Sequence, residues 1–383
     1  MTKLQGILQA RVDEGLAPGT VALVARGDTV EVAVAGSTDL DGTAPMARDT
    51  IFRIASITKP ITAAAVLVLV DDGIVGLDDP VARWLPELAS PNVVRTPSSP
   101  LDDVVPANRP ITVLDLLQAK AGYGFPADFT LPAIGPLFSD LHQGPPNPDQ
   151  VLAPDEWMAT LAGIPLLYQP GQAWLYNTTS DIQGVLVGRA SGMGLSEFLA
   201  ERVFAPLGMV DTGFYVPADK RDRFTTYYRP AADGGLEVVD APDGQWSRPP
   251  AFPSGAGGLV STVDDWLAFA RMLLRGGSSP RGRVLSEDAV RRMTTDYTTP
   301  EERAANDIFL EGQGWGFGGS VDIADIDPWN TVGRYGWIGG TGTSAHLTPS
   351  TGLVTIAMTQ VELTSPTAPE TLRDVWRYGA ATG

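Results

Sequence analysis

No cysteine occurs among the 383 residues, which excludes disulfides, thiolate catalysis and cysteine-based metal sites. Histidine is nearly absent: His142 and His346 are the only two. His142 lies in the loop-like stretch 140–145, and His346 alternates with apolar residues in an expected strand. Neither reads as the base of a serine–histidine pair, and no Gly-x-Ser-x-Gly elbow is present. Two isolated histidines and scattered carboxylates leave no expected metal site. Positive charge is scarce too, with 27 Lys and Arg against 45 Asp and Glu, a net charge of −18 and no basic cluster. Nucleic acid and anionic membrane are therefore not expected partners. No apolar run reaches the roughly eighteen residues of a membrane-spanning helix. Leu4, Ile7, Leu8 and Val12 fall at helical spacing, which predicts an amphipathic first helix rather than a signal peptide. A cytoplasmic location is the resulting expectation.

What remains is an ordinary folded composition, 43% hydrophobic and 19% charged, in which 42 glycines and 32 prolines require many turns. The apolar runs 21–25 and 30–34 flank Arg26-Gly27-Asp28 and predict a β-hairpin. Runs 345–348 and 353–359 mirror them around Pro349-Ser350-Thr351-Gly352, and Leu372, Val375 and Trp376 predict a closing helix. One sheet built from both ends of the chain follows. Between them, 111–117, 182–189, 195–203 and 263–274 predict helices, the last capped by Thr262 with Asp264 and Asp265 in its first turn. The Pro- and Gly-rich stretches 86–110, 122–154 and 230–258 are long enough to read as lids or binding walls.

Chemistry concentrates in Phe52-Arg53-Ile54-Ala55-Ser56-Ile57-Thr58-Lys59-Pro60. A hydroxyl and an amine three residues apart share one face of a helical segment, so Ser56 and Lys59 read as a nucleophile with its activator. Lysine is rare here (Lys3, Lys59, Lys120 and Lys220), and only Lys59 has a serine three positions before it. The bland alternative is a polar helix start with a solvated lysine. Ile54, Ile57 and Ile61 oppose it by predicting burial, which lowers an amine pKa. Tyr176, at a turn leading toward the helix near Ile182, supplies a phenol able to serve as a second base. Alone it would read as a packing residue. The glycine-rich stretch 335–344 allows a backbone to approach a ligand closely. A free N–H there, with that of Ser56, would form an oxyanion hole.

These three boxes, in this order, resemble the serine β-lactamase and penicillin-binding-protein superfamily, and within it the class C β-lactamase-like carboxylesterases (family VIII esterases). The resemblance runs through nearly the whole chain, including Gly76-Leu77-Asp78-Asp79-Pro80, Pro206-Leu207-Gly208-Met209 and Gly257-Gly258-Leu259-Val260-Ser261-Thr262. It implies an α/β, β-lactamase-like fold in a single domain. Residues 1–80 with 255–383 would form an antiparallel sheet flanked by helices, and 81–254 a mostly helical part whose loops wall the substrate pocket. It also implies Ser56 as acylated nucleophile, Lys59 as activator, and Tyr176 as second base and leaving-group proton donor. Trp337-Ile338-Gly339 would occupy the third box, and the N–H groups of Ser56 and Gly340 the oxyanion hole.

Two departures bear on the substrate. Trp337 stands where relatives carry the lysine or histidine that binds a substrate carboxylate. Thr178 replaces the asparagine that contacts a β-lactam side chain. Both favour neutral esters, with Trp337, Gly339, Tyr123, Phe125, Asn177 and Thr178 as substrate contacts; Phe129 and Trp174 are further aromatic candidates for an apolar acyl pocket. The expected function is a cofactor-free serine carboxylesterase acting on small or short-chain esters through an acyl-enzyme. The alternatives are a D-amino-acid amidase or peptidase, an acyltransferase, a weak β-lactamase, or a non-catalytic ligand-binding relative.

Overall fold

The computed structural model describes residues 2–382. The chain opens with helix α1 (Lys3–Asp13) and the hairpin β1 (Gly19–Arg26) and β2 (Thr29–Gly36). Helix α2 (Lys59–Asp71), helix α3 (Thr178–Ser191) and helix α4 (Val263–Leu274) follow. The short strands β3 (Gly314–Trp315) and β4 (Ser320–Val321) lead into β5 (Tyr335–Gly339), β6 (Thr343–Thr348) and β7 (Leu353–Thr359), and helix α5 (Glu370–Ala381) ends the chain. The seven strands form one sheet in the order β3-β4-β5-β6-β7-β1-β2, with every neighbouring pair antiparallel. The two ends of the chain meet where β1 pairs with β7, Leu23 opposite Ile356.

Strand side chains alternate between faces, so unbroken burial along a strand means cover on both sides. β5 and β6 are buried at every residue. The adjacent residues Thr343 and Ser344 show the two covers. Thr343 donates its hydroxyl to the Ile54 carbonyl at 2.9 Å, and Ser344 accepts from the Trp376 indole of α5 at 3.2 Å. The sheet thus lies between the terminal helices and the segment that carries Ser56.

The predicted hairpins and helices are present, and the differences have local causes. Helix 111–117 begins at Val113, because Thr112 and Asp115 form a reciprocal capping box that stops it there. Thr262 caps α4 by accepting from Asp265 N–H. The stretch 195–203 is not one α-helix. It is regular over Leu195–Leu199 and then widens into a π-turn over Ala200–Phe204, where Ala205 N–H reaches back to the Ala200 carbonyl. Pro206 follows directly and has no N–H to continue an α-helical ladder, which accounts for the irregular exit. Among the described residues no helix is long and apolar enough to cross a membrane.

One close approach fixes the sheet against the Ser56 segment. A Cβ at Gly339 would collide with the Ile54 carbonyl and the Thr343 hydroxyl. Gly339→Ala is expected to cost about 1–3 kcal/mol by overpacking. A urea titration checks this, and an unchanged midpoint would show that the strand can move away freely.

Candidate active site

Ser56 lies in a 3-10 turn, Ala55–Thr58, that runs directly into α2 at Lys59. Residues i and i+3 eclipse in a 3-10 turn, which sets the two side chains face to face: Lys59 Nζ is 2.8 Å from Ser56 Oγ. The chain enters this turn through Ala55, whose φ of +42° lies in the left-handed region that a residue with a Cβ rarely adopts. Such a conformation is held by its surroundings. Here Phe52–Arg53 pairs with Val260–Ser261, Thr341 Oγ1 donates to the Arg53 carbonyl at 2.6 Å, and buried Arg53 pairs with Asp240.

Lys59 is buried, with 1% of its surface exposed. Its Nζ donates to the Ala256 carbonyl at 2.7 Å and lies 4.7 Å from the Tyr176 ring centroid. Burial lowers its pKa to about 7, against the charge of Asp181, which raises it. Asp181, in the first turn of α3, is itself pushed up by burial. Three donors converge on its carboxylate: Ser254 Oγ at 2.7 Å, Ala256 N–H at 3.0 Å and Gln143 Nε2 at 3.0 Å. The same carboxylate therefore holds the loop whose carbonyl receives Lys59.

Tyr176 is placed by an unusual turn. Its backbone exchanges N–H···O bonds with Phe125 at 2.8 and 2.9 Å. Next, Asn177 adopts φ +80°, ψ −71°, with Thr178 N–H donating back to the Tyr176 carbonyl at 3.2 Å. This is a γ-turn with positive φ, a rare and strained form. The Trp337 indole donates to Tyr176 OH at 2.7 Å. Burial pushes the Tyr176 phenol up to about 12, although its hydrogen bonds with Ser56 and Trp337 pull the other way.

A cavity of about 330 Å³ opens over Ser56. Ser56, Tyr176 and Gly340 all line it, and its walls include Phe125, Phe252 and Trp337. Among the described residues, neither Ser56 N–H nor Gly340 N–H has an intramolecular acceptor. The lining contains no lysine and no arginine.

Several of the expected substrate contacts lie elsewhere. Phe125, Asn177 and Trp337 line the cavity, whereas Tyr123, Gly339 and Thr178 do not. Tyr123 is buried, its hydroxyl directed at the Leu161 and Ile164 carbonyls. Gly339 packs against Ile54. Thr178, turned inward by the γ-turn, donates to Gln143 Oε1 at 2.5 Å and so supports the Asp181 network. Trp174 is fully buried, and Phe129 packs on Phe125 and Phe309 outside the lining. Trp337 does stand at the wall, but its polar edge is committed to Tyr176. Sequence reasoning missed Asp181 and its link to Lys59. The one available signal was an acid five residues after Tyr176, in the first turn of a helix with no other charge before Arg189. Among the described residues no group of three His, Asp or Glu is arranged to hold a metal ion.

The β-lactamase family model matches residues 4–379. An uncharacterized protein of Mycobacterium tuberculosis is 39% identical over 369 residues, spanning 93% of this chain and 89% of that one. Esterase EstB of Burkholderia gladioli is 31% identical over 392 residues, 97% of this chain and 93% of its own. Among solved structures, EstCE1, described as a hydrolase with promiscuous acyltransferase activity, superposes with a TM-score of 0.81 at 27% identity, over 98% of this chain and 97% of that one. With the fold, the extent of the match and these relatives in agreement, the chain belongs to the β-lactamase family and is a serine hydrolase.

Proposed function

We propose that this chain is a carboxylesterase that hydrolyses small or short-chain esters through an acyl-enzyme on Ser56. The observation that carries this reading is the buried Lys59 amine 2.8 Å from Ser56 Oγ, with a pKa near neutrality. An ordinary lysine is an ammonium at pH 7 and cannot accept a proton; this one is poised to do so.

Lys59 takes the Ser56 proton as Oγ adds to the ester carbonyl. The oxygen that becomes negative lies between the unpartnered N–H groups of Ser56 and Gly340. Collapse of the adduct breaks the bond to the alcohol oxygen, which leaves with a proton from Tyr176. The Lys59 ammonium then restores that proton. Water enters in the reverse sense, releases the acid and frees Ser56. With its pKa pushed up to about 12, Tyr176 is a phenol at neutral pH. It therefore fits the role of proton donor better than that of resting base. The Trp337 bond supports this division, since an oxygen that accepts from the indole keeps its own hydrogen for Ser56 or the leaving group.

The largely apolar lining, without lysine or arginine, supports neutral esters over carboxylate-bearing β-lactams. EstCE1 is a hydrolase with promiscuous acyltransferase activity, so an acyltransferase that passes the acyl group to an alcohol is the second reading. It shares every step up to deacylation.

Mass spectrometry after exposure to a fluorophosphonate is expected to find one adduct, on Ser56, and Ser56→Ala should lose p-nitrophenyl butyrate turnover by about 10³-fold or more. Unchanged turnover in that variant, or an adduct elsewhere, would overturn the reading. The pH profile follows from Lys59. The amine is neutral above about pH 7, so kcat/KM should fall about tenfold per unit as pH drops below that value. Asp181→Asn removes a charge that raises the Lys59 pKa, so the acidic limb should move to lower pH. A limb that stays in place would separate Asp181 from the titration.

A further inference from the structure

The acylation steps leave one charged group of the cavity unused, the carboxylate of Glu362. It lies just beyond β7, in a segment held on three sides. Glu362 N–H donates to the Tyr228 carbonyl at 2.8 Å, Leu363 N–H donates to the Gly340 carbonyl at 2.7 Å, and Tyr227 OH donates to Glu362 Oε2 at 2.9 Å. Glu362 is therefore rigidly placed one residue from the contact to Gly340, beside the proposed oxyanion site.

Its charge has no direct ionic partner. Among the described residues Oε1 receives no hydrogen bond and the carboxylate forms no salt bridge; the nearby Arg229 pairs with Glu237 and acts on Glu362 only through space. The cavity lining offers no lysine or arginine, its one histidine, His142, makes no ion pair with Glu362, and its other carboxylate, Asp181, is occupied by three donors. A half-buried anion against apolar walls is screened less than a surface one, and a ligand cation is the missing complement. Aromatic rings at Phe125, Tyr227 and Trp337 border the same cavity, and such rings are compatible with a cation.

We propose that Glu362 is a specificity-determining residue that selects esters carrying a positively charged substituent and disfavours those carrying a carboxylate. The proposal rests on Ser56 as the acylation centre for its catalytic meaning, but the site itself requires only the cavity and Glu362.

Two matched pairs test it. One compares choline butyrate with 3,3-dimethylbutyl butyrate, its uncharged isostere. The other compares the p-nitrophenyl esters of 6-aminohexanoate and heptanoate. In at least one pair the wild type should prefer the cationic member by about tenfold in kcat/KM, the effect of one ion pair in a partly desolvated site. Glu362→Gln keeps an acceptor for Tyr227 and should bring that ratio close to one. Ratios that are the same in wild type and variant for both pairs overturn the proposal. Calorimetric titration of Ser56→Ala protein with choline butyrate, with and without Glu362→Gln, reads the same selection without turnover. Binding lost on removing the Glu362 charge supports the site even if the ester-hydrolysis reading fails, and binding indifferent to it overturns the site even if that reading holds.

Discussion

Desolvation of one amine governs the site. A lysine free in water holds its proton some three units above neutrality, and the proximity of Ser56 would then supply only a hydrogen bond. Enclosing Lys59 between α2, the loop at Ala256 and the Tyr176 ring removes that stabilisation and brings the pKa to about 7. Removing an ammonium from water completely would instead leave the group inert. Asp181 prevents this by opposing the shift from within the same buried network. The balance explains why a carboxylate that makes no hydrogen bond to Ser56 is built into the core of the site, tied to Ser254, Ala256 and Gln143.

The rest of the architecture keeps that enclosure in register. Thr341 and Thr343 bind the carbonyls of Arg53 and Ile54, so the hairpin that presents Gly340 is stitched to the turn that presents Ser56. Two uncommon backbone conformations, at Ala55 and Asn177, aim the serine and the tyrosine. Neither residue is a glycine. The strain at both is local, and it falls where side-chain direction matters most.

Much of this was readable from the sequence because the signals were local. Ser56 and Lys59 are three positions apart, the hairpins alternate with period two, and Thr262 announces its helix. The sheet joining the two ends of the chain followed from matching patterns at both termini. What was not readable depends on partners distant in sequence. Nothing local to Trp337 says that its indole faces Tyr176, 161 residues earlier, and nothing near Thr178 says that it serves Gln143 rather than a substrate. Tyr123 looked like a pocket aromatic, yet its hydroxyl is satisfied by two carbonyls in the core. Aromatic composition reports that a residue is buried, and leaves open which side of a wall it is on.

The joining of β1 to β7 has a consequence for how activity arises during synthesis. Ser56 and Lys59 leave the ribosome before Ala256 and Gly340 do, and they are neighbours from the moment their turn forms. Until Ala256 and the strand before Gly340 have been made, however, the amine is wetted and stays an ordinary ammonium, and one of the two N–H groups above Ser56 does not yet exist. On the proposed mechanism, a chain that still lacks those later segments would lack its acylating machinery. On the proposed chemistry Ser56 would become reactive only once β5 and β7 have docked on the earlier segments, so esterolysis would report that the two halves of the sheet have met.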